Sequence, residues 1–61
     1  MQIGSLIRIK IVDEWQIAFI GQASDGLLRV YWFDDMLTPS WFFHARLKRL
    51  VEYGEVEILC T

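Results

Sequence analysis

The alternation of apolar and polar side chains in the first two-thirds of the chain limits its folds more than any other feature. Near the start, three isoleucines alternate with two cations, in the order Ile7, Arg8, Ile9, Lys10 and Ile11. Successive side chains of an extended strand point to opposite faces, so a period of two indicates a strand with one buried and one wet face. The sequence therefore predicts a β-sheet in this part of the chain.

Two further strands are predicted before residue 34. The segment 15–23, WQIAFIGQA, is rich in β-branched and aromatic residues, and Ala18 in its middle suits a crowded barrel interior. Asp25-Gly26 stands between two apolar runs, which is typical of a tight hairpin turn. The segment 27–33, LLRVYWF, follows as the third strand.

The segment 38–54 fits two structures. As a helix, it would begin with Thr38 as the N-cap and Pro39 in the first position, and Gly54 would follow its end. As strand, turn and strand, SWFFHA would be a fourth strand, RLK a single helical turn and RLVEY a fifth strand. The spacing of the apolar residues favours the helix slightly, and the residues alone leave both structures open.

A glycine-led basic strand, a central hairpin, a V-x-W strand and a W-x-x-x-x-x-L segment follow one another in about the first 50 residues. These features are carried by Gly4, Ile7, Ile9, Ile17, Ile20, Asp25, Gly26, Val30, Trp32, Trp41 and Leu47. This order resembles small SH3-like β-barrel proteins of the short phage and bacterial accessory type. The resemblance implies an all-β fold, a five-stranded SH3-like barrel with one short helical turn, formed by residues 1–61 as a single domain. The alternative is an α+β fold, a three-stranded meander with a C-terminal helix at about 39–53.

Two aromatic triplets raise the question of what the rings contact. The triplets are Tyr31-Trp32-Phe33 and Trp41-Phe42-Phe43. Neighbouring side chains in a strand diverge, so neither triplet can face a single core. Two hypotheses stay open. In the first, the outward rings are covered by the chain's own loop, DDMLTP, or by its C-terminal tail. In the second, some of these rings form an exposed apolar patch, which typically marks an interface.

The sequence offers little reaction chemistry. A single cysteine cannot form an internal disulfide, and one cysteine with one histidine does not suit a closed zinc site. The pair Asp34-Asp35 supplies too few oxygen ligands for a hard cation. Nothing in the spacing of His44 and Cys60 suggests a catalytic pair. We therefore predict no enzyme, no cofactor and no small-molecule substrate. An apolar run long enough to span a membrane and a signal peptide are both lacking, so we expect a cytoplasmic setting, in a host cell or in a virus particle if the chain is phage-encoded.

The predicted function is a non-enzymatic structural or protein-interaction module that buries an outward aromatic surface on copies of itself or on a larger assembly. The predicted contact residues are Trp15, Tyr31, Phe33, Trp41 and Phe42, with Arg29 and Arg46 at the rim. The resemblance implies a phage accessory protein, either a virion component or a binder of a host protein.

A second hypothesis is single-stranded nucleic-acid binding. The same rings would stack on bases, and the phosphates would contact Arg29, Arg46, Lys48 and Arg49. The net charge of −2 argues against a general attraction to nucleic acid, so this hypothesis stands second.

Overall fold

The computed structural model describes residues 1–61 and contains five strands and one helix. The elements are, in order, β1 (Leu6–Ile11), β2 (Glu14–Ser24), β3 (Leu27–Trp32), β4 (Asp35–Phe43), α1 (His44–Glu52) and β5 (Val56–Cys60). Strands take up 61% of the chain and the helix 15%, so the predicted all-β class is confirmed.

All five strands lie in one antiparallel sheet with the order β4-β3-β2-β1-β5. The first four strands form a meander, and β5 returns to pair with the free edge of β1. The helix contacts both edge strands, β4 and β5, and so packs where the two ends of the curved sheet approach. The result is a small, barrel-like fold, in agreement with the sequence prediction.

Two hairpin turns use left-handed backbone conformations. Asp25 and Gly26 have φ angles of 49° and 80°, which confirms the predicted Asp-Gly turn between β2 and β3. Val12 and Asp13, between β1 and β2, have φ angles of 48° and 65°. A β-branched side chain is strained in this region, so the first turn carries a backbone cost that the second avoids.

The structure corrects the prediction for residues 34–54. The segment DDMLTP is not a loop, because β4 begins at Asp35 and runs through Thr38 and Pro39. The alternative with a helix from about 39 is therefore wrong at its start, since residues 40–43 form a ladder with β3. A ladder with a neighbouring strand outweighs local N-cap signals, because each added pair satisfies backbone groups of both strands.

The helix is also longer than the predicted single turn. It has nine residues, and Gly54, with φ of 77°, follows its end as the helix reading proposed. The Gly54 N–H donates to the Val51 carbonyl at 3.1 Å. The fifth strand accordingly comes later than predicted, at Val56–Cys60 rather than in RLVEY.

The inner face of the sheet forms an aliphatic core. Its eight buried residues are Ile7, Ile9, Ala18, Ile20, Leu28, Val30, Leu47 and Val56. Ala18 is fully buried, as the small side chain predicted for a crowded interior. Two aromatic residues, Trp32 and Phe42, pack against the core only at its margin, edge to face with ring centroids 6.2 Å apart. The Trp32 Nε1–H donates to the Ser40 hydroxyl at 3.0 Å.

Candidate interaction surface

The outer face of the sheet carries most of the aromatic residues of the chain. Cross-strand partners in an antiparallel sheet project to the same side. The partners Phe19 and Tyr31, and the partners Arg29 and Trp41, therefore share the side opposite the core. We call this side the aromatic face, and its rings are Trp15, Phe19, Tyr31, Phe33, Trp41 and Phe43.

The aromatic face remains open to solvent. Trp41 is 46% exposed, Phe33 is 53% exposed and Phe43 is 65% exposed. The two candidate covers for these rings, the segment DDMLTP and the C-terminal tail, lie largely in strands of the sheet, β4 and β5. Of the two hypotheses, the exposed apolar patch is therefore the one that the structure shows.

The side chains of the aromatic face form a continuous row across three strands. Phe33 meets Phe19 edge-on with centroids 6.1 Å apart, and Phe19 stacks on Tyr31 at 5.3 Å with an interplanar angle of 14°. The Arg29 guanidinium carbon lies 5.5 Å from the Tyr31 centroid and also 5.5 Å from the Trp41 centroid. Each member thus has a neighbour that restricts its rotamers.

Gly21 fixes the position of the Tyr31 ring. The register of β2 against β3 shifts between Ile20 and Gln22, and Gly21 occupies this irregularity. A Cβ added at Gly21 would lie 2.2 Å from Cε1 of Tyr31, so the ring rests directly on the glycine backbone. Sequence reasoning missed this contact, although an isolated glycine inside a strand is a recognised signal for a bulge or a close approach.

Arg29 lies among the rings without a carboxylate partner. Its Nη1 donates to the Gln22 side-chain oxygen at 2.9 Å, while its Nε is shielded from solvent and has no hydrogen-bond partner. The one salt bridge of the chain joins Arg8 and Glu57, and the Arg8 guanidinium lies 4.2 Å from the Trp15 ring centroid. Arg29 is therefore the cation of the aromatic face that no acidic side chain of the chain neutralises.

Charge is distributed unevenly over the molecule. By register, the outer face holds the cations Arg8, Lys10 and Arg29. Arg8 pairs with Glu57, and Lys10 lines a small cleft together with Asp13 and Glu55. The remaining acidic residues lie in turns or at the ends of strands and the helix: Glu14, Asp25, Asp34, Asp35 and Glu52. The unbalanced positive charge of the outer face is therefore that of Arg29.

The structure brings together most of the predicted contact residues. Trp15, Tyr31, Phe33, Trp41 and Arg29 all lie on the aromatic face. The face also contains Phe19, Phe43 and Arg8, which are not among the predicted contact residues and which join the face through pairings between strands.

Two of the predicted residues lie elsewhere. Phe42 packs against the core and does not belong to the aromatic face, because its cross-strand partner is the buried Leu28. Arg46 lies in α1 and lines a shallow cleft with Phe43 and Arg49, next to the end of the face. This position is compatible with the rim role predicted for Arg46.

Two further clefts lie away from the aromatic face. One, of about 300 Å³, is lined by Met1, His44, Lys48, Val51 and Ile58. The other is open and is lined by Trp32 together with Asp34, Asp35 and other polar residues. No group of three or more His, Cys, Asp or Glu side chains is placed to hold a metal ion.

Comparison with known proteins adds no family. No protein-family model, curated protein or solved structure shows significant similarity to the chain. The resemblance to SH3-like phage proteins therefore stays a prediction. None of the helical structure is long and apolar enough to cross a membrane.

Proposed function

We propose that the chain is a non-enzymatic protein-interaction module that buries its aromatic face against a partner protein. The observation that carries this proposal is the continuous row of rings on the side of the sheet opposite the core, in which Phe33 and Trp41 are about half exposed. Contiguous apolar patches on small proteins mark interaction sites, and Trp, Tyr and Arg are the residue types that dominate binding energy at interfaces.

The packing of the row supports binding at low entropic cost. Association normally loses side-chain rotamer freedom, at about 0.5–1.5 kcal/mol for each immobilised flexible side chain. Tyr31 is held by Phe19 and the Gly21 backbone, and Arg29 is held by Gln22 and two rings. These side chains are ordered before a partner arrives, so less of the contact energy is spent on ordering them.

The setting of the module follows from the resemblance alone. A phage-encoded accessory protein, acting as a virion component or on a host protein, fits a small barrel with one exposed aromatic face. It would work in the host cytoplasm or in the virus particle.

Single-stranded nucleic-acid binding is the second candidate, because cations and rings share the same face. Bases bind by stacking on free ring faces. Here Phe19 stacks on Tyr31, and Arg8 lies over the Trp15 ring, so the exposed rings left for stacking are Phe33, Trp41 and Phe43. The net charge of −2 gives no general attraction to nucleic acid, so we rank a protein partner first.

A pull-down with matched variants tests the proposal. Wild-type chain, Trp41→Ser and a control, Tyr53→Ser, are immobilised and exposed to an extract of the cells that express the chain. Tyr53 is 70% exposed and lies after α1, outside the sheet. We expect partners that wild type and Tyr53→Ser retain and that Trp41→Ser loses.

Two results contradict the proposal. Equal recovery by all three chains shows that the aromatic face is not the binding surface. Retention on single-stranded DNA at low salt, lost in Trp41→Ser and released steeply as salt rises, selects the nucleic-acid candidate instead.

A further inference from the structure

Arg29 is an incompletely satisfied charge in the middle strand of the aromatic row. It has a cross-strand partner on each side, Gln22 of β2 and Trp41 of β4. One of its nitrogens donates to Gln22, and Nε is shielded and unpartnered. A guanidinium that is partly removed from water needs an anion to offset its desolvation, and no carboxylate of this chain lies within ion-pair distance of it.

We infer that the partner of the aromatic face is an acidic segment of another protein, in which an Asp or Glu carboxylate pairs with Arg29 while flanking apolar side chains cover the rings. This inference rests on the proposed function and specifies the chemistry of its partner. Arg–carboxylate pairs are directional and charge-assisted, so Arg29 would set the register of the segment on the apolar face.

The charge of the surroundings supports an acidic partner. Arg8 already pairs with Glu57, and Lys10 shares a cleft with Asp13 and Glu55, so Arg29 is the cation of the outer face that is left unbalanced. Beyond Phe43, Arg46 and Arg49 line the neighbouring cleft, and neither forms a salt bridge. An acidic segment that crosses the rings therefore meets Arg29 first and has two more cations at the end of the row.

A second copy of the chain fits this face less well. An isologous contact places the same patch on both sides of a two-fold axis. Two aromatic faces in contact would supply Arg29 with no free carboxylate, because the Glu57 carboxylate of each face already pairs with Arg8. The unpaired Arg29 therefore favours a foreign acidic segment over self-association.

Selection from a random peptide library tests the inference without a known partner. The purified chain is used as bait for a display library of roughly twelve-residue peptides, long enough to cross a small domain surface. Selected peptides are synthesised and titrated against wild type, Arg29→Gln, Trp41→Ser and the control Lys48→Gln. Lys48 lines the cleft near Met1 and Ile58, away from the rings. Circular dichroism confirms the fold of each variant before titration.

We expect the selected peptides to be enriched in Asp or Glu beside aromatic or branched apolar residues. Arg29→Gln should weaken binding about tenfold or more, and Lys48→Gln by less than about twofold. Replacing the peptide's key Asp by Asn, or Glu by Gln, should cost as much as Arg29→Gln. The two changes together should cost little more than either one alone, which identifies them as direct partners.

The other outcomes separate this inference from the proposed function. Peptides that need Trp41 but show no acidic enrichment and tolerate Arg29→Gln overturn the inference and leave the interaction module in place. Sedimentation that shows a dimer for wild type and a monomer for Trp41→Ser makes a second copy the occupant. This result also overturns the inference. Displacement of the peptides by oligo(dT) makes nucleic acid the occupant, and a selection without any Trp41-dependent peptide removes the proposed function itself.

Discussion

The inner and outer faces of the sheet belong to the same five strands but carry different side chains. Inside, the wholly buried residues of the sheet are aliphatic, such as Ile7, Ile20 and Val30. Outside, the strands carry six rings and three cations, and the three most exposed rings are about half exposed or more. The fold therefore packs its core on the inner face and leaves the rings of the outer face in contact with solvent.

The placement of aliphatic side chains inside and aromatic side chains outside follows from the size of the interior. A sheet formed by a 61-residue chain encloses little volume, and branched aliphatic side chains fill it at low rotamer cost. Of the nine aromatic residues, only Trp32 and Phe42 reach the core, and both stay at its margin. Substitutions on the inner face should therefore lower stability more than substitutions on the outer face. Four experiments test this difference.

The largest effect is expected on the inner face, for Ile20→Ala. Ile20 is fully buried in β2, and truncating such a side chain costs about 2–5 kcal/mol. A domain of this size has roughly 3–5 kcal/mol of stability in total, so the variant should lose about half of its stability or more. Urea denaturation followed by far-UV circular dichroism measures this loss.

The control for this comparison is Ile17→Ala on the same strand. Ile17 is 43% exposed on the outer face, and its truncation should cost about 1 kcal/mol or less. Equal losses of unfolding free energy at Ile17 and Ile20 would mean that both faces stabilise the fold, and would contradict the proposed difference between the faces.

A smaller effect is expected at the contact between the backbone and the rings, for Gly21→Ala. The added methyl group must displace the Tyr31 ring, and such overpacking costs about 1–3 kcal/mol. The near-ultraviolet circular dichroism of the aromatic row should change at the same time. In a Tyr31→Ala background the methyl group meets no ring, so the same substitution should cost clearly less; an equal cost would show that Tyr31 is not the obstacle.

The third prediction concerns a turn that belongs to neither face. Replacing Val12 and Asp13 by Asn and Gly should stabilise the domain by about 1 kcal/mol, because the strained β-branched residue is removed from a left-handed position. The midpoint of thermal unfolding should rise by about 4–8 °C. Asp25→Asn in the other turn, which already suits its conformation, should shift stability by less than about 0.5 kcal/mol. A Val12 variant that gains nothing would show that the turn is not strained.

The smallest effect on stability is expected for Phe43→Ser on the aromatic face. Phe43 is 65% exposed, so the free energy of unfolding should change by less than about 1 kcal/mol. Solubility in ammonium sulfate should increase, because an exposed apolar ring is lost. The control Tyr53→Ser removes an isolated exposed ring and should raise solubility less. A Phe43 variant that unfolds would show that the rings are part of the core.

The first half of the fold could be predicted because its signals are local. Strands β1 to β3 follow from alternation, and the Asp25-Gly26 turn follows from its dipeptide. Strand β4 could not be predicted in the same way, since Thr38 and Pro39 carry the local signals of a helix start. The deciding contact is the ladder to β3, which joins distant residues, and Pro39 is tolerated because β4 lies at the edge of the sheet.

The candidate site was predictable to a similar degree. Alternation alone places Tyr31 and Phe33 opposite Trp32. It leaves the direction of Phe42 undecided, and only its pairing with Leu28 turns this ring inward. Phe19 and Arg8 join the face through register between strands, a property that no single segment of the sequence contains.

The pairing of β5 with β1 has a consequence for how the chain comes together. Ile9 pairs with Val56, 47 positions later, so β1 keeps one bare edge until the last strand has been synthesised and has docked. A bare edge lined with isoleucine invites strands of other molecules. Arg8 and Lys10, which alternate with those isoleucines, repel a second nascent chain at this stage and so protect the unfinished sheet from aggregation.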